Sequence, residues 1–351
     1  MAYPTLNQNK IFSALYNQII SIDTFADNIA ENYGDVVDAA RVDGSLYGDT
    51  KVYLATDCLE SYAWDPDDTN VLEIKKPKAP ETQTITIDKF RQIAVTVDQY
   101  LTKQAFATEG AFSQFNSAIL AWIQDTKRVH DKTNYNAFIG TAKGQTPGQS
   151  VSIPLSDITA TGEEKNRLEG GMIAEAMANL IVNLKDTTRD YNDYGFLRSY
   201  DEGSIKVIWN TKFVNKIKKL DLPTIFHKDG LIDKMDEYVL PARFFGSVNA
   251  NETQGNGTTV RSLIEQKIGS NHYFAGDLIK STDKAPAGTS YTEDAKVICK
   301  VLVKLPPYMS AFETGTEFFN PKALRSNHYL TFGRNTLTYL KNYPMIAVSA
   351  D

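Results

Sequence analysis

The 351-residue sequence holds two cysteines, Cys58 and Cys299, and four histidines, His130, His227, His272 and His328. Two cysteines cannot build a disulfide framework. They fit a reducing compartment, with a single bridge left open. The histidines lack metal-ligand spacing such as His-Glu-x-x-His. His130 falls on or beside an apolar helical stripe and reads as a packed or surface side chain. Long apolar runs are missing, since none approaches the ~20 residues of a membrane-spanning helix. The first residues, Met1 to Lys10, show no basic segment followed by an apolar core, which excludes a secretory signal. A basic surplus is missing too: 37 Lys and Arg stand against 43 Asp and Glu. That balance argues against a protein whose main surface grips nucleic acid. There is no internal repeat and no low-complexity tract.

Catalytic constellations are equally scarce. No Gly-x-Ser-x-Gly elbow and no Walker loop occurs. Gly255-Asn256-Gly257 lacks a third glycine and a clean preceding strand. Ser281-Thr282-Asp283-Lys284 matches Ser-x-x-Lys by letter but lies in a loop without its partner motifs. Asp65, Asp67 and Asp68 resemble the start of a calcium loop. The sixth position is not glycine and the twelfth is Lys76, so the stretch reads as a turn. The run Asp190-Tyr191-Asn192-Asp193-Tyr194-Gly195 leaves a cation at Asp190 and Asp193 open. The sequons at Asn251 and Asn256 mark exposed loops only. The reading assigns no catalytic, cofactor or metal residue, and no enzyme activity.

What is present points to a large α+β chain. Hydrophobic residues make up 42% and charged residues 23%. That is enough for a sizeable core, divided among two or more sub-domains. Residues 82–139 organise the rest. Thr84 to Ile87 alternate polar and apolar, and Ile93 to Asp98 do so again, as half-buried strands do. Asp98 can cap a short helix over 99–107. Then Phe112, Phe115, Ile119, Trp122, Ile123, Thr126, Val129, Thr133 and Ala137 recur at three and four. This predicts one long helix over 110–139, ended by Gly140.

In chain order, 8–33 reads as helix, with Ile11, Leu15, Ile19 and Ile22 on one face. Residues 34–50 read as an extended arm. Val52–Trp64 and Val71–Ile74 are strand-like on either side of the Asp65–Asn70 turn. Lys75-Lys76-Pro77-Lys78-Ala79-Pro80 is basic and stiffened by proline, so it cannot pair inside a sheet. Residues 50–98 therefore form a long β-loop with few large apolar residues near its tip, and such a loop needs a partner surface. Val151–Leu155 reads as a strand. A helix from the Thr161–Glu164 capping box to Leu184 buries Ile173, Met177, Leu180 and Leu184. Ser204–Trp209 is a strand, and Asn210 caps a helix over 211–219. Val239–Val248 is a strand broken by Pro241, and 249–259 and 284–290 are polar loops. Val297–Leu305 is the strongest strand. Residues 306–327 read as irregular, followed by short strands at Tyr329–Phe332, Thr336–Leu340 and Ile346–Val348. Charge is uneven. Residues 1–70 carry three basic against twelve acidic side chains, and residues 296–351 carry seven against three. Two such surfaces can attract each other within or between subunits.

This order of parts resembles the major capsid protein of tailed bacteriophages, whose fold is shared with the herpesvirus capsid floor. The acidic arm, the long β-loop leading through Ile93–Val97 into one long helix, the strong late strand and the closing Asn342-Tyr343-Pro344-Met345-Ile346-Ala347-Val348 carry the likeness. The resemblance implies an N-terminal arm (1–50), an extended loop (51–98), a peripheral domain (99–160 and 290–327) with a spine helix at 110–139, and an axial domain (161–289 and 328–351). It places Val297–Leu305 in the long sheet of the peripheral domain. It implies self-assembly into hexamers and pentamers of an icosahedral or prolate head shell enclosing double-stranded DNA, within a virion assembled in the host cytoplasm. Nothing long precedes residue 51, so a scaffolding protein, if present, is a separate chain, alongside a portal. A non-viral, encapsulin-like compartment shell is the alternative, and a soluble enzyme or binding module a more distant one. Lys75, Lys76 and Lys78, with Asp65, Asp67 and Asp68, are the candidate intersubunit contacts, through charge pairing between loop and acidic front. The long helix is expected to pack Phe115, Ile119 and Ile123 against Val297–Leu305.

Overall fold

The computed structural model describes residues 36–43, 50–64, 66, 74–98, 109–142, 144, 146–218, 236–250, 265–268, 271–274, 289–293 and 296–351. In chain order it begins with α1 (Val36–Ala40), β1 (Arg41–Asp43), β2 (Thr50–Ala55), β3 (Glu81–Asp98) and α2 (Glu109–Thr141). Then come β4 (Ser150–Ile153), α3 (Gly162–Lys185), β5 (Lys206–Asn210), α4 (Thr211–Lys218), β6 (Asp236–Leu240) and β7 (Gly246–Ala250). The chain closes with β8 (Glu265–Ile268), β9 (Asn271–Phe274), β10 (Thr289–Glu293), β11 (Val297–Leu302), β12 (Tyr308–Asn320), β13 (Arg325–Asn335) and β14 (Met345–Ala350).

Two five-stranded sheets carry the architecture. The first has the order β1-β12-β13-β3-β2, and the second β4-β14-β11-β5-β6. The spine of the first sheet is β3, which merges the two predicted strands into one of 18 residues. At ~3.3 Å per residue it spans about 60 Å. Ile85, Ile87 and Val97 turn inward and are buried, while Thr84, Thr86, Gln92 and Thr96 face out, and Asp88, Lys89 and Phe90 between the two alternating stretches are exposed. Its first third, Glu81 to Thr86, pairs with β2, and the remainder, Ile87 to Asp98, with β13. On the outer face Gln92 donates to Thr331 and Thr96 to Asn327, tying β3 to β13 between side chains.

Against the inner face lies α2, 33 residues and about 50 Å long at ~1.5 Å per residue. Ile119 and Ile123 are buried with Val97, Leu330 and Phe332 of β3 and β13. This corrects the expectation that they face Val297–Leu305. Thr126 is exposed and its hydroxyl bonds the Trp122 carbonyl, so it leaves the buried face. The side chains of Phe112, Phe115, Val129, Thr133 and Ala137 lie outside the described set. Gly140 does not end the helix, which runs to Thr141. A Cβ there would come within 1.9 Å of the Phe244 carbonyl oxygen, so this glycine admits a neighbouring backbone. The helix is closed instead by Lys300, whose buried ammonium donates to the Ala142 carbonyl at 2.8 Å. A cation at a helix C-terminus is favourably placed.

The C-terminal turns of α2 reach the second sheet. Tyr135, Phe138 and Ile139 share a core with Ile208, Leu240, Val297, Leu302 and Met345. All six residues of β11 are buried. It sits at the centre of the second sheet between β14 and β5, and not in the long first sheet. On the other side α3 covers this sheet with Ile173, Met177, Leu180 and Leu184, the four residues its periodicity marks. The Asn210 cap forms as predicted, its Oδ1 accepting from the Lys212 amide at 3.1 Å. Thr161 takes the N-cap position of α3 without a side-chain bond.

Other expectations change. Residues 306–327 are not irregular: β12 is a 13-residue strand paired with β13. Pro306, Pro307, Gly315 and Pro321 interrupt the local pattern, and pairing with a distant strand overrides it. Tyr329–Phe332 belongs to β13, while Thr336–Leu340 is not a strand. Strand β2 stops at Ala55 instead of reaching Trp64. Within the predicted arm, α1 buries Val36, Val37 and Ala40, and β1 pairs in parallel with the start of β12. The expected 328–351 segment divides between the sheets, β13 in the first and β14 in the second. The helices expected over 8–33 and 99–107 lie outside the described residues, as do most of the loops 249–259 and 284–290. Cys58 is exposed and Cys299 buried, and both are free thiols.

Candidate assembly interface

Of the segment between β2 and β3, the root is fixed by side chains on both limbs. On the first limb Asp57 accepts from the Arg189 guanidinium at 2.7 Å and from the Leu197 amide at 3.0 Å. The Arg189 hydrogen bond is the main cause that holds the Asp57 carboxyl well below the usual carboxylate range. Arg198 adds a bond to the Thr56 carbonyl. On the second limb Gln83 donates to the Tyr339 carbonyl and accepts from the Lys341 amide, each at 2.9 Å. Further along, Asp88 accepts from the Thr336 amide at 2.7 Å.

The socket for Asp57 is the loop that carries the candidate cation residues. Asn192 shapes it, accepting from the Phe196 amide and donating to the Phe196 carbonyl. Asp193 accepts from Gln149 at 2.8 Å and from the Tyr339 hydroxyl at 2.6 Å, one donor on each carboxylate oxygen. Asp190 accepts from the Thr188 hydroxyl. Both carboxylates are engaged by protein donors, which is the chemistry of a structural loop and not of a cation cage. Among the described residues no group of three or more His, Cys, Asp or Glu converges as a metal site. His130 is packed, its Nε2 3.1 Å from the Asn134 amide and its ring edge-on to Phe332.

Beyond the root, the described residues include large apolar side chains that are exposed. Leu59, Tyr62, Trp64 and Ile74 are 78%, 57%, 88% and 80% exposed. Val52 and Leu54 of β2 extend the same exposed set. This corrects the expectation of few large apolar residues near the tip. Lys75 lies over the Tyr62 ring, 3.5 Å from its centroid, and the Tyr62 hydroxyl donates to Glu60. The two limbs are thus joined by a cation–π contact. Of the predicted contact residues, Lys75 is placed against Tyr62, and Lys76 and Lys78 are exposed. Asp65, Asp67 and Asp68 lie outside the described residues. Sequence reasoning followed the charges and missed the apolar residues beside them. The signal was available: Leu59, Tyr62, Trp64 and Ile74 flank a proline-containing turn with no sheet to cover them. Exposed apolar side chains in such numbers are the chemistry from which interaction surfaces are made.

The comparisons with known proteins agree on one type of molecule. The family model for the Phi29-like phage major capsid protein matches residues 2–347. The chain is similar to one from the capsid structure of Staphylococcus phage Andhra, with a TM-score of 0.65 and 10% identity over 91% of this chain and 85% of that one. It is also similar to a chain in the structure of the head fiber and inner core protein gp22 of native bacteriophage P68, with a TM-score of 0.61 and 11% identity, covering 90% of this chain and 85% of that one. A third similarity is to the capsid structure of the cyanophage P-SCSP1u, with a TM-score of 0.50 and 9% identity over 92% and 90%. At such identities the likeness to these structures shows a shared fold. No curated protein matches the chain.

Proposed function

The chain belongs to the Phi29-like phage major capsid protein family, and from that premise we propose how it builds the phage head shell. The subunits assemble as hexamers and pentamers, and the β2–β3 loop of one subunit lies on its neighbour. The observation that carries this is the exposed apolar loop on a fixed root. Asp57, Gln83 and Asp88 hold its base while Leu59, Tyr62, Trp64 and Ile74 stay uncovered. A surface that is costly to leave in water, presented on a preset arm, gains when a second subunit covers it. Many such contacts in a closed shell act together. Lys76 and Lys78 add charge pairing with an acidic surface of the neighbour, and Lys75 joins them where Tyr62 shifts. The first sheet with α2 acts as the peripheral domain, and the second sheet with α3 as the axial one. The inner face meets packaged double-stranded DNA, a portal occupies one vertex, and a separate scaffolding protein directs assembly in the host cytoplasm.

Purified protein, alone or with its scaffold, should form pentamers, hexamers or shells visible by negative-stain microscopy. A monodisperse monomer under every condition, including with virion partners present, overturns the reading. The family match weighs toward a phage head over a non-viral compartment shell, and toward a structural protein over an enzyme.

A further inference from the structure

Three segments cross from one sheet to the other: the last turns of α2, residues 303–307 and residues 336–344. Each is fastened within the core. The Tyr135 hydroxyl donates to the Pro306 carbonyl at 2.8 Å. Asn335 donates to the Pro307 carbonyl at 3.0 Å and accepts from the Met309 amide at 2.8 Å. Lys300 holds the end of α2, as described above. A fourth segment, α1 with β1, packs at this junction without belonging to any of the three crossings. Val36, Val37 and Ala40 are buried among Tyr135, Phe138 and Ile139 of α2, Leu240, Val297, Leu302 and Met345 of the second sheet, and Tyr308 of the first.

This segment is attached lightly. Helix α1 has five residues, and β1 pairs over three at the sheet edge, from Arg41↔Tyr308 to Asp43↔Ser310. Its charged fastening is Arg41. That guanidinium bonds Asp38 at 2.7 Å, lies 3.7 Å from the Asp131 carboxylate, and stacks 5.8 Å from the Tyr308 ring. Asp131 is 1% exposed and also takes the Tyr308 hydroxyl bond, with Lys127 and His130 each 3.6 Å away. One short segment therefore pairs with the first strand beyond the crossing and shares a buried core with the long helix and the second sheet. Short edge elements with few bonds open at lower free energy than the body they cover.

We propose that residues 36–43 are a releasable clamp over the junction, setting the angle between the two sheets and so the curvature of the shell. The inference rests on the shell reading above. A small rotation between two rigid bodies, repeated in every subunit, changes the radius at which contacts close. With the clamp in place the rotation would tear Val36, Val37 and Ala40 from their shared core. With it released, the three crossings alone define the angle.

The test uses the full-length chain as the wild type and Arg41→Leu, assembled under identical conditions. Hydrogen exchange measured by mass spectrometry should rise tenfold or more in peptides covering 36–43 in the variant. Peptides covering β5 and β11 should stay protected, which shows that the variant is folded. Shell diameters by electron microscopy should shift or broaden. A disulfide staple between the register partners Val42 and Met309, as Val42→Cys and Met309→Cys added to Arg41→Leu, should restore the wild-type diameter on oxidation. Wild-type shells accompanied by variant shells of unchanged diameter, despite faster exchange over 36–43, overturn the clamp alone. Unchanged exchange over 36–43 also overturns it, because Arg41 then fastens nothing. Failure of the wild type to form shells overturns the parent reading, and the clamp with it.

Discussion

Asp131 is the charged residue buried most deeply in the long helix. Burial pushes its carboxyl up, but the neighbouring His130, the Tyr308 hydroxyl and Lys127 outweigh it and leave it below the usual range. A carboxylate with a lowered folded pKa contributes stability above its unfolded value, about 3.9. That stability is lost as pH falls through the folded value. The urea midpoint of the wild type should therefore decline below about pH 4, and Asp131→Asn should flatten part of that decline. An unaltered acid slope in the variant would place the proton uptake elsewhere. Ile119 is fully buried, and Ile119→Ala should lower stability by about 2–5 kcal/mol in a denaturant titration. At Gly140 the usual propensity argument reverses. Alanine in a helix interior normally gains ~1 kcal/mol over glycine. Here its Cβ would overlap the Phe244 carbonyl, so Gly140→Ala should lower the melting temperature instead of raising it.

The elements differ in how openly their sequences declare them. The alternation of β3 and the stripe of α3 are local patterns, and both were legible because a buried face repeats at the period of the element. In contrast, β12 was missed. Its glycine and flanking prolines read as loop, and the pairing that makes it a strand comes from β13 and β1, which are separate in the sequence. The loop between β2 and β3 declared its need for a partner but not the chemistry of the contact. Two variants separate apolar from charged contributions. Trp64→Ser with Leu59→Ser should leave circular dichroism unchanged and raise the protein concentration needed for assembly. Changing Lys75, Lys76 and Lys78 to serine should weaken assembly less and make it less salt-dependent, since exposed pairs contribute only about 0.2–1 kcal/mol each. An unchanged salt response in the triple variant would leave the apolar residues as the contact that matters.

At the scale of the whole molecule two five-stranded sheets are joined through α2 and through the crossings at 303–307 and 336–344. The helix packs on the first sheet with Ile119 and Ile123 and enters the core of the second with Tyr135, Phe138 and Ile139. Stiffness between the sheets thus depends on the C-terminal half of α2 and its fastenings. Lys300→Met keeps most of the side-chain volume and removes the donor to Ala142. The Ala142 carbonyl would then be buried without that bond, a loss of about 1–3 kcal/mol. The expected outcome is a lower unfolding midpoint with faster exchange at the end of α2 than at Ile119. Uniform loss of protection along the whole helix would show that α2 opens as a single unit.

The sequence by itself determined the class of the fold and the existence of the long helix and of the β-loop. These follow from periodicity, turn residues and residue counts, which are properties of neighbours in the chain. It also carried the resemblance to the capsid family that the comparisons later showed. Tertiary structure alone decided which strand each helix face meets. Ile119 and Ile123 lie in one sheet's core while Val297 and Leu302 lie in the other's, and nothing local distinguishes one apolar strand from another. It alone decided that the loop 189–197 is a socket for the loop root, because Asp57 reaches Arg189 and Leu197 while Gln149 and Tyr339 reach Asp193, all from far along the chain. It alone made Gly140 a point of close approach and Arg41 a fastening for Asp131, since both depend on what packs across the gap. Contacts distant in sequence leave no period to read.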